Sequence, residues 1–283
     1  MTVAEVYHSL RKHLQSLYAE GEAAAIGRLV VEAVSGIEPF IPSIHGNRPI
    51  LPHQADAAVK ALIRLQRGEP VQYVIGYAHF DGMKLRVSPA VLIPRPETEE
   101  LVHWVADELH TKTAAHVLDA GTGSGCIALA LKRRLPHLHI FAVDISQAAL
   151  EIARHNANAH GLDITFAQHD LLSAERPFPH ISFDCVVCNP PYVLAAEQHT
   201  LDEHVMKHEP HVALFAPAPD PLIFYRHVAE KFFIASENKA VLFFEINPRL
   251  YEPLNQWLTL QKLPYEFRRD FSGHMRLLRI GGN

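Results

Sequence analysis

The sequence predicts a doubly wound α/β protein, a mostly parallel sheet with helices on both faces, preceded by a small helical module. Three features carry this expectation. From residue 115 onward, short apolar runs alternate with amphipathic stretches, the pattern of parallel strands and crossover helices. The first of those runs, "VLDAGTGSGCIALAL", passes from strand to glycine-rich loop to helix. Residues 1–70, by contrast, carry only helical periodicity.

The first region, 1–70, is expected to be a domain of its own. Val3, Val6, Leu10, Leu14 and Leu17 recur at spacings of three and four and predict one helix. "EAAAIGRLVVEAVSGI" and "QADAAVKALIRLQRGEP" predict two more, ended near Gly36 and near Gly68 and Pro70. Its basic and acidic residues balance, and no catalytic cluster is visible. Such a module suits a stabilising cap or a docking surface for a partner protein.

Residues 71–95 place β-formers around Asp81-Gly82, which predicts a β-hairpin linking the two domains. In the following domain, 96–283, Thr98 is predicted to cap a helix with Glu99 and Glu100 in its first turn. Leu101, Val102, Val105 and Leu109 form that helix's apolar stripe. "AHVLDAG", "HIFAVD", "ITFAQHD", "FDCVVCN" and "AVLFFEIN" read as strands. "GCIALALKRRL" and "PLIFYRHVAEKFFI" read as helices, as does "SQAALEIARHNANAHG", capped by Ser146 and stopped by Gly161. "YEFRRDF" and "HMRLLRI", around Ser272-Gly273, predict a closing antiparallel pair.

Composition excludes several classes. Hydrophobic residues make up 48% of the 283, ample for a packed core. A net charge of −5 argues against a broad nucleic-acid-binding surface, so no direct nucleic-acid partner is expected. No apolar run approaches the ~18–20 residues of a membrane span, so no membrane partner is expected either. Three cysteines and an N-terminus without a secretory pattern fit the reducing cytoplasm. Cys185 and Cys188 form a CxxC without a second pair, and are expected as small core residues. His204, His208 and Glu209 have the spacing of a helical metal site. Surface histidines around a proline-broken segment are the simpler reading, and no metal is expected.

The glycine loop narrows the ligand. Gly121, Gly123 and Gly125 are spaced GxGxG, so the backbone can turn sharply and approach a ligand closely. A dinucleotide fingerprint needs a glycine where Cys126 stands, and no Gly-Lys-Ser/Thr follows for a P-loop. Asp144, at the end of the second strand roughly 20 residues after Gly121, can accept from ribose hydroxyls. Asp170, ending the third strand, can accept from the exocyclic amine of an adenine, beside the backbone N–H of Leu171. Asp119, just before the loop, can hold an amino group or a loop amide. With Thr122 and Ser124 in the loop, these acids suit a cationic, adenosine-bearing ligand without phosphates. S-adenosylmethionine is such a ligand.

The fourth strand ends in "VVCNPPYVL". At the switch point of such a sheet it lies beside the first strand, which puts Asn189 next to the cofactor's methyl group. A planar nitrogen is a poor nucleophile because its lone pair is delocalised. Two acceptors on its N–H bonds, the Asn189 side-chain oxygen and the Pro190 carbonyl, hold it and enrich it in electron density. Pro191 stiffens the corner and Tyr192 packs on the planar face. No strong base is needed beforehand, since the proton leaves after the nitrogen has become cationic.

Together these residues resemble methyltransferases acting on planar nitrogens. "GEPVQYVIGYAHFDGMKLRVSPAVLIPRPETEELV", "KHEPHVALFA" and "RRDFSGHMRLLRI" narrow the resemblance to the peptide chain release factor N5-glutamine methyltransferases. The resemblance implies a seven-stranded Rossmann-like methyltransferase sheet joined by a β-hairpin to an N-terminal helical bundle. It implies cofactor contacts at Gly121 through Gly125, Asp144, Leu171 and Asn189, and glutamine contacts at Asn189, Pro190, Pro191 and Tyr192. The substrate it implies is the glutamine of the Gly-Gly-Gln loop of bacterial class 1 release factors. The sequence departs from the family's habit at Leu171, often aromatic, and at Ile246-Asn247, often a glycine turn. Two further substrates share the chemistry: adenine N6 in DNA or RNA, disfavoured by the charge, and a ribosomal-protein glutamine. A non-catalytic cofactor-binding module would be expected to lose Asn189 or the loop.

Overall fold

A computed structural model describes residues 1–200, 202–217, 220–236 and 240–282. They divide into two compact units, Met1–Tyr77 with Asp202–His208, and Ala78–Leu201 with Glu209–Asn283.

In the first unit, helices Val3–Leu14, Glu20–Ser35 and Pro52–Gln66 pack around Leu14, Val30, Val31, Phe40 and Leu65. Thr2 and Glu5 close a reciprocal cap on the first helix: the Glu5 amide donates to Thr2 Oγ1 at 3.2 Å and the Thr2 amide to Glu5 Oε2 at 2.7 Å. That helix ends at Leu14, so Leu17, expected in its stripe, is 51% exposed. Val71–Ile75, expected as the start of the hairpin, is a short helix instead. The Arg64 guanidinium explains it: it pairs with Glu69 and donates to the carbonyls of Tyr73 and Val74 at 3.1 and 3.0 Å, which closes the chain into a turn.

A hairpin follows, β1 (Tyr77–Phe80) and β2 (Met83–Arg86), joined at Asp81-Gly82, and all of it from Ala78 on belongs to the second unit. Both turn residues have positive φ, +47° and +70°, as a two-residue turn with the sheet's own twist requires. Helix Pro96–Leu109 follows. Thr98 does not cap it. Arg95 stands at the N-cap position without a side-chain capping bond, and Pro96 and Glu97 take the first turn, which leaves Thr98 buried inside the helix. Seven strands then form one sheet: β3 (His116–Ala120), β4 (His139–Asp144), β5 (Thr165–Gln168), β6 (Cys185–Cys188), β7 (Val241–Glu245), β8 (Tyr265–Arg269) and β9 (Met275–Ile280). Their order is β5-β4-β3-β6-β7-β9-β8, parallel except for the pairings of β9 with β7 and β8.

Side chains alternate between two apolar cores, one on each face. Val117, Val187 and Phe243 point into the first, with helices Pro96–Leu109 and Cys126–Arg134. Leu118, Val186 and Phe244 point into the second, with helices Ile223–Ala229 and Tyr251–Leu260. Burial on both faces is why these strands read as unbroken apolar runs. Cys185 and Cys188 are fully buried among them, as expected of small core residues. Among the described residues no helix is long and apolar enough to cross a membrane.

Candidate active site

The strand order reverses between β3 and β6, which pair in parallel with Ala120 opposite Cys188. Gly121 and Asn189 therefore leave the sheet side by side, at the switch point where an open α/β sheet forms its crevice. A cavity of about 440 Å³ opens there. Its wall includes Gly121, Thr122, Gly123 and Ser124 from the loop, Asp144, Asp170 and Leu171 from the neighbouring strand ends, and Asn189 and Pro191 from the corner.

The loop is built for close approach. Gly121 has φ +82°, and its amide and that of Thr122 both donate to the Val143 carbonyl at 2.9 Å. Around Gly123 nothing lies within 4 Å of where a Cβ would sit, so the backbone borders open space. Gly125 does a different job from the one expected. It does not line the cavity; a Cβ there would lie 2.6 Å from Leu129 Cδ1 and 3.2 Å from Ala153 Cβ. Its absence lets the helix after the loop pack against helix Gln147–Ala159.

The three acids occupy three environments. Asp144 is half-buried, its Oδ2 accepting from the Gly123 amide and its Oδ1 from the Ser146 amide, both at 2.9 Å. Burial raises its pKa, and these amides oppose the rise. Each oxygen keeps a lone pair for a further donor. Asp170 is exposed at the rim, and its Oδ1 accepts from the Leu172 amide at 2.9 Å. Asp119 is 0% exposed and lies outside the cavity wall. Its Oδ2 accepts from Thr122 Oγ1 in the loop at 2.6 Å and from the Ala128 amide of the following helix at 3.1 Å, while its Oδ1 has no hydrogen-bond partner among the described residues. Burial pushes its pKa up to about 7, with the Asp144 charge adding to the rise.

At the corner the sequence reading missed a partner. Glu245, the last residue of β7 and 1% exposed, accepts from Asn189 Nδ2 at 3.0 Å, from Thr98 Oγ1 at 2.6 Å and from Tyr192 Oη at 3.3 Å. Asn189 Nδ2 also reaches Thr98 Oγ1 at 3.4 Å. Burial raises the Glu245 pKa, opposed by the Thr98 hydrogen bond and the charge of Arg276. Pro190 is buried and Tyr192 is tied to Glu245; neither lines the cavity, whereas Asn189 and Pro191 do. Burial, and next the Glu245 charge, hold the Tyr192 phenol well above its ordinary pKa. The signal for Glu245 in the sequence was an acid closing the apolar run "AVLFFE", beside the strand that ends in Asn189.

Another acid, Glu209, ties the cavity's rim together. It is buried, it pairs with Arg95, and its Oε2 accepts from the Ile93 amide at 3.3 Å. Arg95 and Ile93 both line the cavity. Among the described residues no group of three or more His, Cys, Asp or Glu is placed to hold a metal ion.

The wall fits the group expected from the sequence. Open space beside Gly123 admits a ligand against bare backbone. Apolar Ile145, Ala149 and Leu171 offer a flat base its faces, and Asp144 and Asp170 offer hydroxyl and amine hydrogens their acceptors.

The comparisons with known proteins agree with this arrangement. Residues 5–76 match the PrmC N-terminal domain and residues 101–212 the Methyltransferase small domain. A release factor glutamine methyltransferase of Bacteroides thetaiotaomicron is 41% identical over 239 residues, 84% of each chain. One of Bacillus cereus is 35% identical over 281 residues, 96% of this chain and 98% of that one. Among solved structures, the catalytic domain of hMettl16 in complex with an RNA hairpin has a TM-score of 0.58 at 16% identity, covering 90% of both chains. The N-terminal domain of human METTL16 in complex with SAH has a TM-score of 0.54 at 15% identity, covering 96% of this chain and 93% of that one. At such identities these two establish the fold. The chain belongs to the release factor glutamine methyltransferase family and is an S-adenosylmethionine-dependent methyltransferase.

Proposed function

We propose that the protein methylates the side-chain amide nitrogen of the glutamine in the Gly-Gly-Gln motif of bacterial class 1 peptide release factors, in the cytoplasm. The observation that carries this reading is Asn189: a carboxamide on the cavity wall whose nitrogen is turned toward Glu245 and Thr98. Its oxygen is thereby left to accept an N–H from a substrate amide.

In this reading Gly121, Thr122, Gly123 and Ser124 give the cofactor its backbone cradle. Asp144 takes the ribose hydroxyls, and Asp170 with the Leu171 amide reads the adenine edge. Asp119 and Gly125 act one layer down, the first by fixing the loop and the second by letting the helix close on it. The bound cofactor supplies an electrophilic methyl carbon on a positively charged sulfur. Asn189 Oδ1 holds a hydrogen of the substrate amide, which fixes the nitrogen's direction of approach and strengthens as that nitrogen gains positive charge. Pro191 and Tyr192 keep the corner from relaxing. The helical module of the first unit docks the release factor.

The test is to incubate the purified enzyme with labelled S-adenosylmethionine and purified release factors, then map the label by mass spectrometry. Label on the Gly-Gly-Gln glutamine supports the assignment. Label elsewhere, or on nucleic acid or a ribosomal protein offered in its place, replaces it.

A further inference from the structure

We infer that Glu245 is a positioning residue for Asn189, and that with Thr98 it makes the site select a substrate group that donates hydrogen bonds over one that only accepts them. The inference rests on the proposed role of Asn189. It starts from a count of hydrogens. An asparagine amide has two N–H bonds and one carbonyl oxygen. Asn189 Nδ2 lies 3.0 Å from Glu245 Oε2 and 3.4 Å from Thr98 Oγ1, which are themselves 2.6 Å apart, so one N–H bond points between the two, and Thr98 lines the cavity as Asn189 does.

The Thr98 hydroxyl is committed as well. Its own hydrogen goes to Glu245 Oε2 at 2.6 Å, so toward Asn189 it can only accept. The Tyr192 hydroxyl donates to the other carboxylate oxygen. Thr98, Asn189 and Tyr192 can each donate to Glu245, as they would to an ionised carboxylate. If the Asn189 amide rotated by half a turn, its oxygen would face two acceptors with no hydrogen between them. The network thus favours one orientation, with Nδ2 toward Glu245 and Thr98 and Oδ1 turned away from them.

Selectivity follows. A carboxamide substrate meets Oδ1 with an N–H. A carboxylate of the same shape, as in a release factor whose motif glutamine is replaced by glutamate, meets it oxygen to oxygen. Three elements share in this choice: Thr98 from helix Pro96–Leu109, Asn189 after β6 and Glu245 at the end of β7. Neither Glu245 nor Tyr192 borders the cavity, so they act through Asn189 and not on the substrate.

The test compares the wild type with E245Q, T98V and T98S. A glutamine at 245 can turn its own NH₂ toward Asn189 and permits the amide to rotate. Three quantities are read: single-turnover methyl transfer, cofactor affinity by calorimetry, and the ratio of binding constants for the release factor and its glutamine-to-glutamate variant. The wild type is expected to prefer the glutamine form by about tenfold or more, the scale of one charge-assisted mismatch. In E245Q transfer should fall by about 10²-fold, as for a misplaced reacting group, with cofactor affinity unchanged and the binding ratio close to one. T98S should retain both properties and T98V should lose part of each. If E245Q has a lowered melting midpoint, the T98S–T98V pair decides, since it leaves the carboxylate in place. Wild-type transfer and an unchanged ratio in E245Q and T98V would overturn the inference. Loss of the ratio is not expected of a residue that only supports packing. A wild type that binds with the expected preference but transfers no methyl to the glutamine would overturn the proposed function and leave the role of Glu245 standing.

Discussion

The Gly123 amide donates to Asp144 Oδ2 at 2.9 Å, so the acid that ends β4 also holds the loop that follows β3. One carboxylate thereby serves the loop's shape and the cavity's chemistry. Asp144→Ala should weaken cofactor binding about 10- to 100-fold, the loss of charge-assisted hydrogen bonds. Asp144→Asn, which keeps one acceptor, should fall between. Calorimetric titration with S-adenosylhomocysteine reads both, and unchanged affinity in the alanine variant removes Asp144 from the site.

Gly125 and Gly123 separate packing from binding. Gly125→Ala puts a Cβ 2.6 Å from Leu129 Cδ1 at φ +84° and should destabilise the fold by about 2–4 kcal/mol, left-handed strain and overpacking together. Gly123→Ala meets nothing within 4 Å and should cost about 1–2 kcal/mol from its φ of +54° alone. Gly123 lines the cavity, so the larger effect should fall on cofactor affinity. Urea denaturation with calorimetry distinguishes the two.

Asp119 makes stability depend on pH. Its folded pKa of about 7 lies above the ordinary aspartate value of 3.8, so between these values the folded protein binds a proton that the unfolded chain has released. Stability from this group is present at low pH and is lost as pH rises through about 7. Asp119→Asn should flatten the urea midpoint between pH 5 and pH 8 relative to the wild type, whereas parallel profiles would contradict the burial argument.

The rim depends on Glu209. Among the described residues, Arg95→Ala leaves that buried carboxylate the Ile93 amide as its partner, and should destabilise the second unit by about 1–3 kcal/mol, allowing for the partly exposed arginine. Arg95→Lys should recover part of the loss, since it keeps the charge but not the fork. Thermal denaturation of the two variants checks the order.

Much of this was legible because both-face burial writes β3, β4, β6 and β7 as apolar runs ending in turn residues, and the GxGxG loop and the Asn-Pro-Pro-Tyr corner are local words. What failed was non-local. Thr98 reads as a cap until Pro96 takes the first turn and Glu245, distant in sequence, takes its hydroxyl. Val71–Ile75 alternates β-formers, yet Arg64 bonds to its carbonyls fold it into a helical turn. Helix Tyr251–Leu260, "YEPLNQWLTL", carries Pro253, which reads as a breaker although a proline in the first turn is tolerated. Glu245 became a site residue only when the sheet order set β7 beside β6.

The most direct measurement is single-turnover methyl transfer by Asn189→Ala on a release factor, with cofactor affinity measured on the same preparation. A rate about 10²- to 10³-fold below wild type, as when an aligned hydrogen-bonding group is removed from a reaction centre, with cofactor affinity preserved, is the expected result. A near-normal rate would mean that the amide at this corner does not hold the reacting nitrogen.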